Sequence, residues 1–151
     1  MSKIGLGIVT CNRPDFLSKC IESIDLEKLD VKAIVNDGTI DVKHQSFHIM
    51  HNKENLGVGK SKNKLLKYLR SQDCDYIFLL EDDMLILDNN VFDKYIEAYK
   101  ASGIHHFNYG PGSPFNRKQN FEFDLHNRHL CDQHSDPNPR KIIDYGNDVK
   151  I

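Results

Sequence analysis

The chain of 151 residues holds no uninterrupted apolar run of eighteen or more residues, which excludes an obvious membrane-spanning helix. No cleavage-site pattern follows its short apolar N-terminal stretch MSKIGLGIVTC, so no secretory leader is expected and a cytoplasmic protein is. Charge of one sign is not in excess either: the net charge is -2, which leaves no electrostatic footprint for nucleic acid or an anionic membrane. The four cysteines, Cys11, Cys20, Cys74 and Cys131, lack CxxC spacing and are expected to be free thiols, mostly small buried residues. No internal repeat and no low-complexity tract is found.

What is present alternates. Lys3 to Thr10 is a short β-branched run, followed by Asn12-Arg13-Pro14, with Asn12 expected to cap a helix and Pro14 to lie in its first turn. Phe16, Leu17, Cys20, Ile21 and Ile24 recur at helical spacing, predicting an amphipathic helix from Pro14 to about Glu27. Val31 to Val35 predicts a second strand ending at the turn Asn36-Asp37-Gly38-Thr39, and Ser46 to Met50 a short third strand. A helix from Gly59 to Leu69, a fully apolar strand from Tyr76 to Leu80, a helix from Asn90 to Ala101 and an extended segment from Ile104 to Tyr109 complete the series.

Such alternation argues for an α/β sandwich around a mostly parallel sheet, in which ligands bind beyond the carboxyl ends of the strands. After Gly110 the periodicity is lost. Residues 1–110 are therefore expected to form the core and 111–151 an irregular segment of the same domain, a lid, part of an acceptor region or a tail.

The most unusual stretch is FLLEDDMLIL, Phe78 to Leu87, where Glu81, Asp82 and Asp83 interrupt an apolar run. Adjacent carboxylates repel and lose solvation when buried, so a cation, a proton or a solvated turn must relieve them. A hard divalent cation held by one or two carboxylates and the phosphates of a substrate fits, and so does a turn in which Asp82 or Asp83 caps the next segment.

Four motifs in order, GIVTCNRPDFLSKCIESI, VNDGT, NKENLGVGKSKN and YIFLLEDDM, resemble the inverting nucleotide-sugar glycosyltransferases of family 2, with the GT-A fold. The resemblance covers residues 3–110 and implies a GT-A, Rossmann-like αβα sandwich. It implies that the loop Thr10 to Arg13 wraps the nucleotide, with Thr10 and Asn12 near the base or ribose and Arg13 at a phosphate. For Arg13 a surface position beside a proline is the alternative.

Asp37 is implied as acceptor for the uracil N3-H of a uridine nucleotide, although an Asx-turn residue ending a strand would need no ligand. The pattern Asn55, Gly57, Ser61, Lys62, Asn63 matches the family's next motif, with Gly57 and Gly59 allowing close backbone approach and Lys62 meeting a phosphate or the base. This stretch lacks the GxxxxGK[ST] frame of a P-loop, and Lys60, Lys64 and Lys67 read as a solvated helix face. The family's Asp-x-Asp motif aligns with Glu81-Asp82-Asp83. Glu81 and Asp82 then serve the nucleotide-sugar, and Asp83, with Glu81, holds Mn2+ or Mg2+. The Glu in first position departs from the usual motif.

The implied activity is metal-dependent, inverting transfer of a sugar, with a UDP-sugar as the expected donor, to a hydroxyl on a glycan, lipid or protein. The catalytic base has no matching motif. Asp132, Asp136 and Asp144 are the local candidates. In HNRHLCDQH, the residues His126, His129, Cys131 and His134 lack familiar zinc spacing, and His129 or His134 is a candidate extra ligand to the metal at Asp83. Family members usually run longer, so a nucleotide-sugar-binding module or a donor-binding half without transfer activity is one alternative. A nucleotidyltransferase is another, disfavoured because TCNRPD after the first strand is not a glycine-rich basic loop.

Overall fold

Strand β1, Ile4–Thr10, turns its alternate residues toward two different helices, and this decides how the layers stack. A computed structural model of the chain describes residues 2–107. Leu6 and Ile8 are fully buried in one apolar cluster with Leu17, Cys20 and Ile21 of helix α1 (Pro14–Glu22), whereas Val9 packs in a second cluster with Leu65 and Leu69 of helix α2 (Val58–Ser71). One helix covers each face. Strand β2, Val31–Asn36, splits likewise, Ile34 toward the first cluster and Ala33 and Val35 toward the second.

With β3 (His48–His51) and β4 (Tyr76–Glu81), these strands form, among the described residues, a four-stranded, all-parallel sheet in the order β3-β2-β1-β4. The β1-to-β2 connection crosses the sheet in one direction and the β3-to-β4 connection in the other. Because crossovers between parallel strands are right-handed, opposite directions put α1 and α2 on opposite faces. The product is the expected α/β sandwich with a parallel sheet.

Several local expectations are revised. Helix α1 ends at Glu22, five residues early, because the Ser23 hydroxyl donates to the Cys20 carbonyl at 2.7 Å and a separate 3-10 turn, Leu26–Lys28, starts under the Asp25 carboxylate. Ile24 keeps its place in the core all the same. Asn12 does not cap α1: Arg13 occupies the cap position without a side-chain bond, while Pro14 opens the helix as expected. Strand β4 is half-buried along its whole length and lies at an edge of the sheet among the described residues, so its apolar composition overstated its burial. Residues 104–107 form no strand.

The chain divides into two compact units, Met1–Phe92 and Asp93–Ile151. The first holds the four strands, α1 and α2. Helix α3, Val91–Ser102, starts in it, with Phe92 packed edge-on against Phe78 at 4.8 Å. Within the second, Tyr95 meets Phe107 and Tyr99 meets His105 at ring-centroid distances of 5.8 and 5.1 Å. No helix among the described residues is long and apolar enough to cross a membrane. Cys11, Cys20 and Cys74 are free thiols. The segment 111–151, with Asp132, Asp136, Asp144, His126, His129, Cys131 and His134, lies outside the described residues.

Candidate functional site

The parallel register brings three loops to one level. Thr10 pairs with Asn36 and Val9 with Glu81, so the carboxyl ends of β1, β2 and β4 finish side by side. The ladder even runs one residue further on each side, Asp37 N donating to Thr10 O at 2.8 Å and Asp82 N to Val9 O at 3.2 Å. Between β1 and β4 the strand order reverses, and at such a point the loops diverge to leave a crevice.

On the β4 side stand the three carboxylates. Asp82 is 1% exposed and fully partnered: the Thr10 hydroxyl donates to its Oδ2 at 2.7 Å, Arg13 Nε donates to the same oxygen at 3.3 Å, and Arg13 Nη2 donates to Oδ1. Arg13 Nη1 reaches on to Asp83 Oδ2 at 3.2 Å, and the guanidinium lies 5.6 Å from the Phe16 ring centroid. Lys62 of α2 donates to Glu81 Oε1 at 2.7 Å. Two fixed cations thus relieve three adjacent acids. Burial would lower the Arg13 pKa, but Asp82 and Asp83 outweigh it and hold the guanidinium above its ordinary value. The same acids add to burial in pushing the Cys20 thiol up to about 11, so it stays neutral.

On the β2 side a carboxylate is relieved without any cation. Asp37, 4% exposed, accepts from Asn52 Nδ2 at 2.7 Å and Leu56 N at 2.8 Å on Oδ1, and from Gly57 N at 2.8 Å on Oδ2. Burial would push its pKa up; the bonds from Leu56, Asn52, Gly57 and Ser61 more than offset this and hold the carboxyl below its ordinary value. Gly57 has φ +82°, the left-handed region where a side chain is strained, and this turn aims its N–H at the carboxylate just before α2 begins. Asn52 also donates to Ser61 Oγ at 3.1 Å and accepts from Lys64 Nζ at 2.8 Å.

Between these two sites lies Asn12. Its φ of +55° is one that asparagine tolerates, and its Oδ1 accepts from Thr39 N at 2.7 Å and Ile40 N at 3.0 Å. The loop after β1 is thereby fastened to the loop after β2. Gly38 sits so close beneath that a β-carbon there would strike the Asn12 backbone and side chain.

Comparison with known proteins places this arrangement. The model of glycosyl transferase family 2 matches residues 6–141. The chain belongs to that family. It is also 27% identical, over 125 residues, to an uncharacterized glycosyltransferase of Acanthamoeba polyphaga mimivirus, covering 72% of this chain and 48% of that protein. It therefore spans about half the length of the curated relative it matches. No solved structure gives a significant match.

The family 2 motifs converge only partly into contacts. Thr10, Arg13, Asp82 and Asp83 form one bonded group; Lys62 and Glu81 form a pair; Asp37, Asn55 and Gly57 form another group, with Asn55 Nδ2 donating to the Asp37 carbonyl at 3.3 Å. Asn63 is exposed on α2 and its side chain makes no hydrogen bond among the described residues. Two residues that the motif reading passed over matter to the site. Asn52 holds Asp37, and Asn36 accepts from Gly38 N at 3.0 Å and donates to the Ile40 carbonyl at 2.7 Å. Position was their sole sequence signal, since each sits at or just past the end of a predicted strand.

Whether the residues suit a divalent cation depends on the donors. Among the described residues, no three His, Cys, Asp or Glu side chains converge on one point. Asp83 is 45% exposed at its side chain, however, and its Oδ1 makes no hydrogen bond among the described residues. One open carboxylate is enough for a cation held mainly by substrate phosphates and water, as Mg2+ and Mn2+ commonly are. The donor set fits that kind of cation and not a permanent all-protein cage.

Proposed function

We propose that this chain is the donor-binding GT-A domain of a metal-dependent, inverting glycosyltransferase that takes a nucleotide-sugar, a UDP-sugar first among them, and delivers the sugar to a hydroxyl acceptor. The observation that carries the reading is the meeting of the β1, β2 and β4 loops where the strand order reverses, with acids, bases and amides graded across one edge. Asp37 Oδ2 accepts from Gly57 N, and a carboxylate oxygen has lone-pair capacity for a further donor such as a uracil N3-H; the donors around it keep the carboxylate ionised and oriented. The loop from Thr10 to Asn12 would border the base and ribose through its backbone, since the buried Thr10 hydroxyl is committed to Asp82 and Asn12 Oδ1 to the Thr39 and Ile40 amides.

Arg13 and Lys62 flank the carboxylates at the level a diphosphate would take, where a forked guanidinium and an ammonium both suit phosphate oxygens. Asp83, with Glu81 beside it, would hold Mn2+ or Mg2+. The cation, when bound, supplies electrostatic stabilisation of the departing nucleoside diphosphate. The acceptor must be deprotonated from the opposite face of the sugar, and Asp132, Asp136 and Asp144 stay the candidates for that base.

Calorimetric titration of UDP with and without Mn2+, on wild type and Asp83→Ala, tests the reading. Metal-dependent binding that the variant loses is expected; its absence in wild type would reject the donor site. Binding without donor hydrolysis or transfer to any acceptor would instead favour a nucleotide-sugar-binding module.

A further inference from the structure

We propose that Arg13 is a built-in counter-ion that keeps divalent cations off Asp83 until a diphosphate draws its outer nitrogen away, so that metal and nucleotide bind as a coupled pair. The proposal rests on the donor-site reading above and adds to it an order imposed by one residue of this chain.

The geometry divides the guanidinium into an anchored and an exchangeable half. Nε and Nη2 hold Asp82, whose side chain is wholly buried, and breaking that half would strand a buried charge. Nη1 holds Asp83 across a pair that is 42% and 45% exposed, where water and ions compete freely and the net worth of an ion pair is small. Phe16 backs the guanidinium from α1 although its ring is itself 54% exposed. An apolar ring left in solvent is accounted for if it steers Arg13 toward the acids.

For a cation alone, this is a poor site. The Asp83 carboxylate, open at Oδ1, is already met at Oδ2 by the Arg13 guanidinium, and Arg13 with Lys62 leaves the three acids with about one net negative charge. A diphosphate reverses both conditions: its oxygens compete for Nη1 through charge-assisted bonds, and they supply the cation with further ligands. By linkage, each ligand then raises the affinity of the other by the same factor.

The test follows the EPR signal of free aqueous Mn2+ during titration of the full chain, with and without saturating UDP. UDP should tighten Mn2+ binding to wild type about tenfold or more, within the usual range of coupling between sites. Arg13→Gln should bind Mn2+ alone about fivefold tighter than wild type, and UDP should add no more than about threefold. Phe16→Ala, at an exposed position, should shift both values the same way by less. Because Arg13→Gln leaves Asp82 without its cation, the double variant Arg13→Gln/Asp82→Asn removes both charges and should retain the tighter Mn2+ binding in a folded chain. Equal affinity of wild type and these variants for Mn2+ alone overturns the counter-ion role while leaving the donor site standing. Failure of wild type to take Mn2+ even with UDP overturns the metal-dependent donor site, and this proposal with it.

Discussion

Carboxylates on two sides of the same sheet edge are made tolerable in opposite ways. Asp37 is surrounded by neutral donors, two backbone amides and the Asn52 side chain, whereas Asp82 and Asp83 are met by the full charge of Arg13. Neutral donors belong to the chain path and cannot leave without moving the turn into α2. A guanidinium on a flexible stem can exchange one anion for another. The difference teaches which part of the edge is fixture and which is working part: on the proposed function, the β2 side sets where a ligand lies and the β4 side responds to it.

The hardest blow to this contrast is Asp37→Asn. An amide there puts an NH2 in place of one carboxylate oxygen, facing the donors that oxygen had accepted from, and leaving a buried donor unpaired should cost about 3 kcal/mol in urea unfolding. The same carboxylate sets an acid limb. Its folded pKa lies below the unfolded value of about 3.9, so its contribution is whole above that value and is lost as pH falls through the lowered one. Between about pH 5 and pH 3, wild type should therefore lose more stability than Asp37→Asn, by paired unfolding curves.

Gly38→Ala comes next, since its β-carbon would push against Asn12 and part the two loops. A loss of about 1.5 kcal/mol and weaker UDP binding are expected, measured by thermal melting and calorimetry. Lys62→Ala should be gentlest on the fold. Its pair with Glu81 is half-exposed, so stability should move by about 0.5 kcal/mol or less, whereas UDP affinity should fall more than stability does. A stability loss equal to that of Asp37→Asn would erase the distinction between the two sides.

Much of this was legible before any coordinates. Runs such as IGLGIVT and the 3.6-residue spacing of Leu65 and Leu69 declare strand and helix through simple periodicity, and the strand ends then mark Asp37 and the acids. What escaped was decided by tertiary contact. Asn12 has the composition of a helix cap, but the Thr39 and Ile40 amides, far along the chain, captured its oxygen. The apolar YIFLL gives no hint that its strand lies at an edge among the described residues, because composition reports what can be buried and not how many neighbours arrive. Asn52 is one polar residue after a four-residue strand, and nothing local separates it from any loop asparagine.

The bond from Thr10 to Asp82 joins positions 72 residues apart, and it ties the end of β1 to the end of β4, the last strand along the chain among the described residues. Closing so long a loop comes late in folding, after α1, β2, β3 and α2 have had the chance to assemble locally. The Asp37 cage, whose Asn52, Leu56 and Gly57 donors fall within 20 residues, can form before that. During synthesis the β2 side of the edge, which the proposed function gives to the base, can thus be ready while the β4 side is still absent. If the chain binds a nucleotide as proposed, UDP affinity should report the docking of β4, and a refolding experiment followed by UDP binding would time that step.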